Sequence, residues 1–139
     1  MTYTIAVLAG GKSSRFGSNK LLFKIGSMTM LEWVLYAAFG SHADEIILSV
    51  KSPEINVSDR FKGKLKVIND ELEEYSPLVG TLSAARAASN PDIVVISADS
   101  PFVTSNFFNV LYGYLKKIDV DGVVPIWNDG TIEAIHAAY

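Results

Sequence analysis

The 139-residue sequence predicts an α/β fold, a three-layer α/β/α arrangement around an open, doubly wound and mostly parallel sheet. Short apolar runs rich in β-formers alternate with stretches of helical periodicity, which is the pattern of repeated βαβ units. Within one such run Ile93, Val94, Val95 and Ile96 are apolar without alternation, as a strand covered on both faces requires. The first apolar run, residues 3–8, empties directly into Leu8-Ala9-Gly10-Gly11-Lys12-Ser13-Ser14-Arg15-Phe16-Gly17-Ser18-Asn19-Lys20, a loop with the composition of an anion cradle.

The elements follow in order. Residues 3–8 form the first strand, and residues 29–39 carry a helical stripe of Met30, Leu31, Val34, Leu35 and Ala38 that stops at Gly40. A β-rich run at 45–50 is followed by an ambiguous stretch at 53–61, a brief strand at 65–68 and an acidic loop at 69–77. Residues 78–89 read as a helix and 92–97 as the buried strand. Thr104 or Ser105 caps a further helix running to about Lys117. Residues 122–126 and 131–139 are strand candidates around the turn Asn128-Asp129-Gly130. There is no internal repeat and no linker, so residues 1–139 are expected to fold as a single domain.

Composition narrows the function. With 49% hydrophobic and 19% charged residues the chain can bury a sizeable core, and its net charge of −3 argues against a broad nucleic-acid or membrane-surface footprint. The basic residues of the first loop are therefore a local patch on an acidic body, suited to a small anionic ligand. The chain has no cysteine, which removes disulfides, thiolate metal sites and cysteine nucleophiles together. No segment reaches the roughly 18 apolar residues of a membrane span, and the N-terminus lacks the basic-then-apolar pattern of a leader. A cytoplasmic location is expected.

The loop chemistry starts from backbone geometry. Gly10 and Gly11 have no Cβ to keep a bound group from successive N–H donors, while Lys12, Arg15 and Lys20 bring cations able to neutralise a polyphosphate. A relaxed Walker pattern fits from Ala6 through Gly11, Lys12 and Ser13, but Ala6, Val7 and Leu8 belong to the strand and leave too little loop to wrap a phosphate. The dinucleotide fingerprint fails as well, because Gly10, Gly11 and Gly17 lack its spacing.

Ligands of open α/β sheets lie beyond the carboxyl ends of the strands. Asp70 follows the strand at 65–68 and Asp99 the strand at 92–97, so both should open on the same edge as the glycine loop. Asp99, just ahead of Ser100-Pro101, is placed to hold a hard cation such as Mg2+; a cap or turn role ahead of the next helix is the alternative. Asp70 reads either as a ligand contact or as part of a solvated acidic turn. Neither histidine is assigned to catalysis: His42 lies in a polar turn, and His136 is three positions from Glu133 in a strand candidate, where alternate faces would separate them. Trp33 and Trp127 read as core or rim residues, with Trp127 a candidate for lining an acceptor cleft.

The loop from Leu8 to Lys20, the stretch Ser76-Pro77-Leu78-Val79-Gly80-Thr81 and the run Ala98-Asp99-Ser100-Pro101-Phe102 resemble the three signatures of molybdenum cofactor guanylyltransferases within the wider MobA-like nucleotidyltransferases. The resemblance covers almost the whole chain. It implies a Rossmann-like nucleotidyltransferase fold and transfer of GMP from GTP to molybdopterin with release of pyrophosphate. By position it implies nucleotide contacts from Leu8, Ala9, Gly10, Gly11, Asp70, Gly80 and Asp99, catalytic roles for Lys20 and Arg15 at the phosphates, and Mg2+ on Asp99. It also implies transient contact with proteins that deliver molybdopterin or receive the finished cofactor.

Asn19 stands where the family signature usually has Asp, and Ser76 replaces a common glycine. Lys20-Leu21-Leu22 and Leu31-Glu32 are also similar to cytidylyltransferase relatives, whereas Ala9-Gly10-Gly11 and Pro77-Leu78-Val79-Gly80 favour the guanylyl branch. Alternatives are a cytidylyltransferase, a sugar-phosphate nucleotidyltransferase and a non-catalytic GTP-binding adaptor. Family members continue beyond the segment resembling residues 131–139, so a C-terminally shortened or incomplete chain is expected, with acceptor binding the function most affected.

Overall fold

In the computed structural model, which describes residues 2–10, 20–51, 57–70 and 76–139, the alternation seen in the sequence becomes a five-stranded sheet with helices on both faces. Strand β1 (Thr4–Leu8) runs into the glycine loop. After a 3-10 turn at Lys20–Leu22 come β2 (Lys24–Ile25), β3 (Met28–Thr29) and helix α1 (Met30–Phe39). Then follow β4 (Glu45–Val50), α2 (Asp59–Lys62), β5 (Leu65–Asn69), α3 (Pro77–Ala87), β6 (Ile93–Ser97), α4 (Ser105–Ile118) and β7 (Ala137–Ala138).

The sheet order is β5-β4-β1-β6-β7, parallel throughout except for the antiparallel β6–β7 pair. β1 is thus the middle strand, with β4 and β5 laid down on one side of it and β6 on the other. Between β1 and β6 the direction of strand addition reverses, the place where open α/β sheets leave a crevice at their carboxyl ends.

Strand alternation divides the core into two layers. Ile5, Val7, Ile46, Leu48, Val94 and Ile96 face α1 and α4, packing with Leu31, Val34, Leu35, Phe108 and Leu111. Ala6, Leu8, Ile47, Ile93 and Val95 face the other way, against Ala84 of α3. A strand buried on both faces has no polar side to show, which explains the unalternated apolar run in β6.

Local signals set the helix ends. Thr29 accepts from the Glu32 N–H while Glu32 Oε1 accepts from the Thr29 N–H, a reciprocal box that starts α1 one residue after the expected position. The third helix begins at Pro77, because Ser76 caps Leu78 N and the proline needs no donor at N1. It stops at Ala87, short of the expected Ser89, since Ser89 N and Oγ both donate to the Glu45 carboxylate at 2.8 and 2.9 Å and draw the chain into an extended path.

Three expectations need correction. Residues 122–126 and 131–139 yield only the two-residue β7 and the isolated bridges Val123↔Ala138 and Ile126↔Ile132, because turns at Gly130 (φ +91°) and at Glu133–His136 break the pairing. Asn69 belongs to β5, paired with Val50, rather than to the acidic loop. The hairpin β2–β3 was not expected, although Gly26-Ser27 between Ile25 and Met28 is a hairpin signal and Gly26 has the φ of +66° that such a turn uses. Of the ambiguous stretch at 53–61, residues 59–61 enter α2; residues 53–56, like 71–75 of the acidic loop, lie outside the described residues.

Candidate functional site

The carboxyl ends of β1, β4, β5 and β6 are tied together by the backbone. Ala9 N donates to Ser49 O, Ala98 N to Leu8 O and Asp70 N to Val50 O, at 2.8 to 2.9 Å, so the chain leaves each strand at a common edge. That is the edge on which Gly10, Asp70 and Asp99 were expected to meet.

On the β4–β5 side, the buried Ser49 hydroxyl donates to Asp70 Oδ1 in a short hydrogen bond. A Cβ at Gly10 would run into Asp70 Oδ2 and come within 3.2 Å of Lys51 Cγ. A Cβ at Gly80 would lie 3.2 Å from Leu8 Cδ2, 3.6 Å from Ser49 Oγ and 3.7 Å from Asp70 Oδ1. Gly10, Gly80, Leu8 and Asp70 therefore form one cluster, in which the absence of a side chain at Gly10 makes room for the carboxylate and its absence at Gly80 eases the approach of Leu8. Ser49 was not singled out from the sequence: a serine ending a buried strand looks like any other until the partner strand is in place.

On the β6 side, Lys20 Nζ lies 2.9 Å from Asp99 Oδ2, and Ser97 Oγ donates to Asp99 Oδ1 in a short bond. Burial acts to raise the Asp99 carboxyl, but the Ser97 hydroxyl and the Lys20 ammonium outweigh it and hold the group below its ordinary value. Asp99 is thus a fixed negative charge. Both side chains of the pair remain open, 36% exposed for Lys20 and 39% for Asp99, so either can exchange its partner for a ligand.

Asp99 suits a hard divalent cation because it offers carboxylate oxygen beside an open crevice. Among the described residues no group of three or more His, Asp or Glu could hold a metal ion, so phosphate oxygens and water would have to complete the shell. Gly11 and Arg15 lie outside the described residues.

The structure also overturns the expected separation of His136 and Glu133. A turn closed by His136 N donating to Glu133 O puts both side chains on one side, with His136 Nδ1 3.2 Å from Glu133 Oε2. Glu133 Oε1 accepts from Trp127 Nε1 at 2.7 Å, and His136 Nε2 lies 3.1 Å from Ser100 Oγ. Trp127 is 62% exposed and belongs to the rim, whereas Trp33 is half-buried and donates to Ile25 O.

Residues 5–139 match the family described as the MobA-like NTP transferase domain. The chain belongs to this family. It is 35% identical over 136 residues to the probable molybdenum cofactor guanylyltransferase of Thermococcus gammatolerans, covering 96% of this chain and 68% of that protein. The probable molybdenum cofactor guanylyltransferase of Pyrococcus horikoshii is 33% identical, with 100% of this chain and 70% of that protein covered. Among solved structures, molybdopterin-guanine dinucleotide biosynthesis protein A from Archaeoglobus fulgidus superposes with a TM-score of 0.76 at 22% identity, over 98% of this chain and 66% of that one. The CMP:2-keto-3-deoxy-manno-octonic acid synthetase complexed with CTP reaches 0.75 at 16% identity, over 86% and 49%. At such identities these two likenesses bear on the fold. The chain spans about two thirds of the length of the curated relatives it matches.

Proposed function

We propose that this nucleotidyltransferase domain, residues 1–139, transfers GMP from GTP to the phosphate of molybdopterin and releases pyrophosphate. The observation that carries the reading is the partly exposed Lys20–Asp99 pair at the β1–β6 crevice, in a chain whose relatives are named guanylyltransferases. The names of those relatives favour GTP over CTP.

The chemistry asks for positioning and charge compensation rather than covalent participation by the protein. An oxygen of the acceptor phosphate attacks the α-phosphorus, the bond between that phosphorus and the bridging oxygen to the β-phosphate breaks, and pyrophosphate leaves. Bound Mg2+ would supply neutralisation of the phosphate oxygens, with Asp99 as its protein ligand. Lys20 gives up Asp99 for the phosphates and stabilises the charge that accumulates on the departing group. Arg15 adds a second cation there. Leu8, Ala9, Gly10 and Gly11 bring backbone against the nucleotide, Gly80 allows its close approach, and Asp70, held by Ser49 with room left by Gly10, contacts the nucleotide. Reception of molybdopterin and delivery of the product bring transient contact with the enzymes before and after this step.

The test is a panel of GTP, CTP and ATP with Mg2+ and either molybdopterin or a hexose 1-phosphate, read by pyrophosphate release. The expected result is release with GTP and molybdopterin, abolished by EDTA. Release with CTP alone would place the chain with cytidylyltransferases, and release with the sugar phosphate would change the acceptor. Nucleotide binding without release in any combination would mark a non-catalytic adaptor.

A further inference from the structure

The segment that closes the sheet at β7 sends a line of side chains back to the Asp99 turn. Trp127 Nε1 donates to Glu133 Oε1 at 2.7 Å, Glu133 Oε2 is 3.2 Å from His136 Nδ1, and His136 Nε2 is 3.1 Å from Ser100 Oγ. Each end is anchored by backbone: Glu133 N donates to Pro125 O at 2.9 Å, and Val103 N donates to Ser100 O at 3.2 Å. Ser100 is the residue after Asp99 and the residue before Pro101.

The order of donors follows from the chemistry. A carboxylate only accepts, so Glu133 takes the Nδ1–H of His136, and in the neutral ring that tautomer leaves a lone pair on Nε2. The Ser100 hydroxyl then donates to Nε2 of the neutral ring and would accept from the imidazolium; either bond ties the Ser100 side chain to His136 beside the backbone that carries Asp99. None of these groups touches the Asp99 carboxylate, whose partners are Ser97 and Lys20. Lys20 is the partner that the phosphates would remove; Ser97 then holds one carboxylate oxygen, and the bond from Ser100 to His136 ties the following residue of the turn.

We propose that Glu133, His136 and Ser100 form a positioning chain that holds the Asp99 turn for the metal-nucleotide complex. The inference rests on the reading of Asp99 as the metal-binding carboxylate. It makes His136 and Glu133 positioning residues acting through Ser100, with no contact of their own to the reacting atoms.

Calorimetry on the full chain tests it without turnover. The probe is GTP with a methylene bridge between the α- and β-phosphates, titrated in EDTA and then with Mg2+. Ser100→Ala and His136→Ala are expected to raise the Mg2+ midpoint about tenfold or more, the scale of effect seen when groups behind a metal ligand are removed, while affinity in EDTA stays at the wild-type value. His136→Gln, whose amide oxygen can accept from Ser100, recovers most of the midpoint. The double variant Ser100→Ala/His136→Ala loses no more than His136→Ala alone, since both substitutions break the same Ser100–His136 bond. Circular dichroism confirms that the variants are folded, and Ser100→Ala, which removes only a hydroxyl, keeps the test open if a histidine variant unfolds.

An unchanged Mg2+ midpoint in folded variants overturns the proposal, as does an equal loss of affinity in EDTA or additivity in the double variant. Failure of the wild-type chain to bind the analogue with any Mg2+ dependence overturns instead the reading of Asp99, and this chain's role with it.

Discussion

Lys20 Nζ and Asp99 Oδ2 lie 2.9 Å apart although they are separated by 79 positions in the sequence. The pair joins the end of the glycine loop to the end of β6 across the crevice beside the central strand. Both side chains are more than a third exposed, so the ion pair adds little to stability; exposed pairs of this kind are worth about 0–1 kcal/mol. We propose that its value lies in function.

Lys20→Ala is accordingly expected to lower turnover by about 10^2 to 10^3, by analogy with the loss of a single electrostatic donor, while leaving the melting temperature near that of the wild type. Asp99→Asn should lose Mg2+-dependent activity to a similar degree. Pyrophosphate release and thermal denaturation of the same preparations check both halves, and a Lys20→Ala protein with wild-type turnover would falsify the assignment.

Gly10→Ala tests the other half of the site. The new Cβ would meet Asp70 Oδ2, so either the carboxylate swings away from Ser49 or the loop shifts. Displacing one hydrogen-bonded carboxylate is worth about 1–3 kcal/mol, and KM for the nucleotide should rise by about tenfold or more. Asp70→Ala should raise KM comparably, and combining the two should add little, because the clash is then gone. Steady-state kinetics of the three variants decide the matter.

Glu45 holds the opposite edge of the sheet, accepting from Thr4 Oγ1 at 2.6 Å and from Ser89 N and Oγ. Burial acts to raise its carboxyl, but the Thr4 and Ser89 donors prevail and leave it below its ordinary value of 4.5. A carboxyl depressed in the folded state stabilises the protein above its unfolded value, and that contribution is lost as pH falls through the folded one. Glu45→Gln should therefore cost about 1 kcal/mol at pH 7, with the difference from wild type shrinking as the pH falls through the lowered folded-state value. Urea denaturation at a series of pH values measures it, and a difference that is constant down to pH 2 contradicts it.

Thr29→Ala removes one arm of the reciprocal cap on α1. The expected loss is about 1 kcal/mol of stability, read as a lower denaturation midpoint. Thr29→Ser should restore most of it in the same denaturation experiment.

Much of the fold could be read from residues alone. The bounds of β4 coincide with expectation, and those of β1, β6 and α4 fall within a residue or two, because burial on both faces and helical periodicity are local patterns. The common edge of Gly10, Asp70 and Asp99 followed from strand polarity. The 3-10 turn at Lys20–Leu22, the hairpin around Gly26 and the broken pairing after Gly122 were not anticipated, since each is decided by a few turn residues rather than by a repeating pattern.

By itself, then, the sequence determined the succession of strands and helices and which residues gather at their carboxyl ends. The tertiary structure alone decided that β1 lies at the centre, that Lys20 reaches Asp99, that Ser49 holds Asp70 and that His136 turns toward both Glu133 and Ser100. Periodicity records which face of an element is buried. Which loops then meet depends on strand order and register, and these are properties of the assembled sheet.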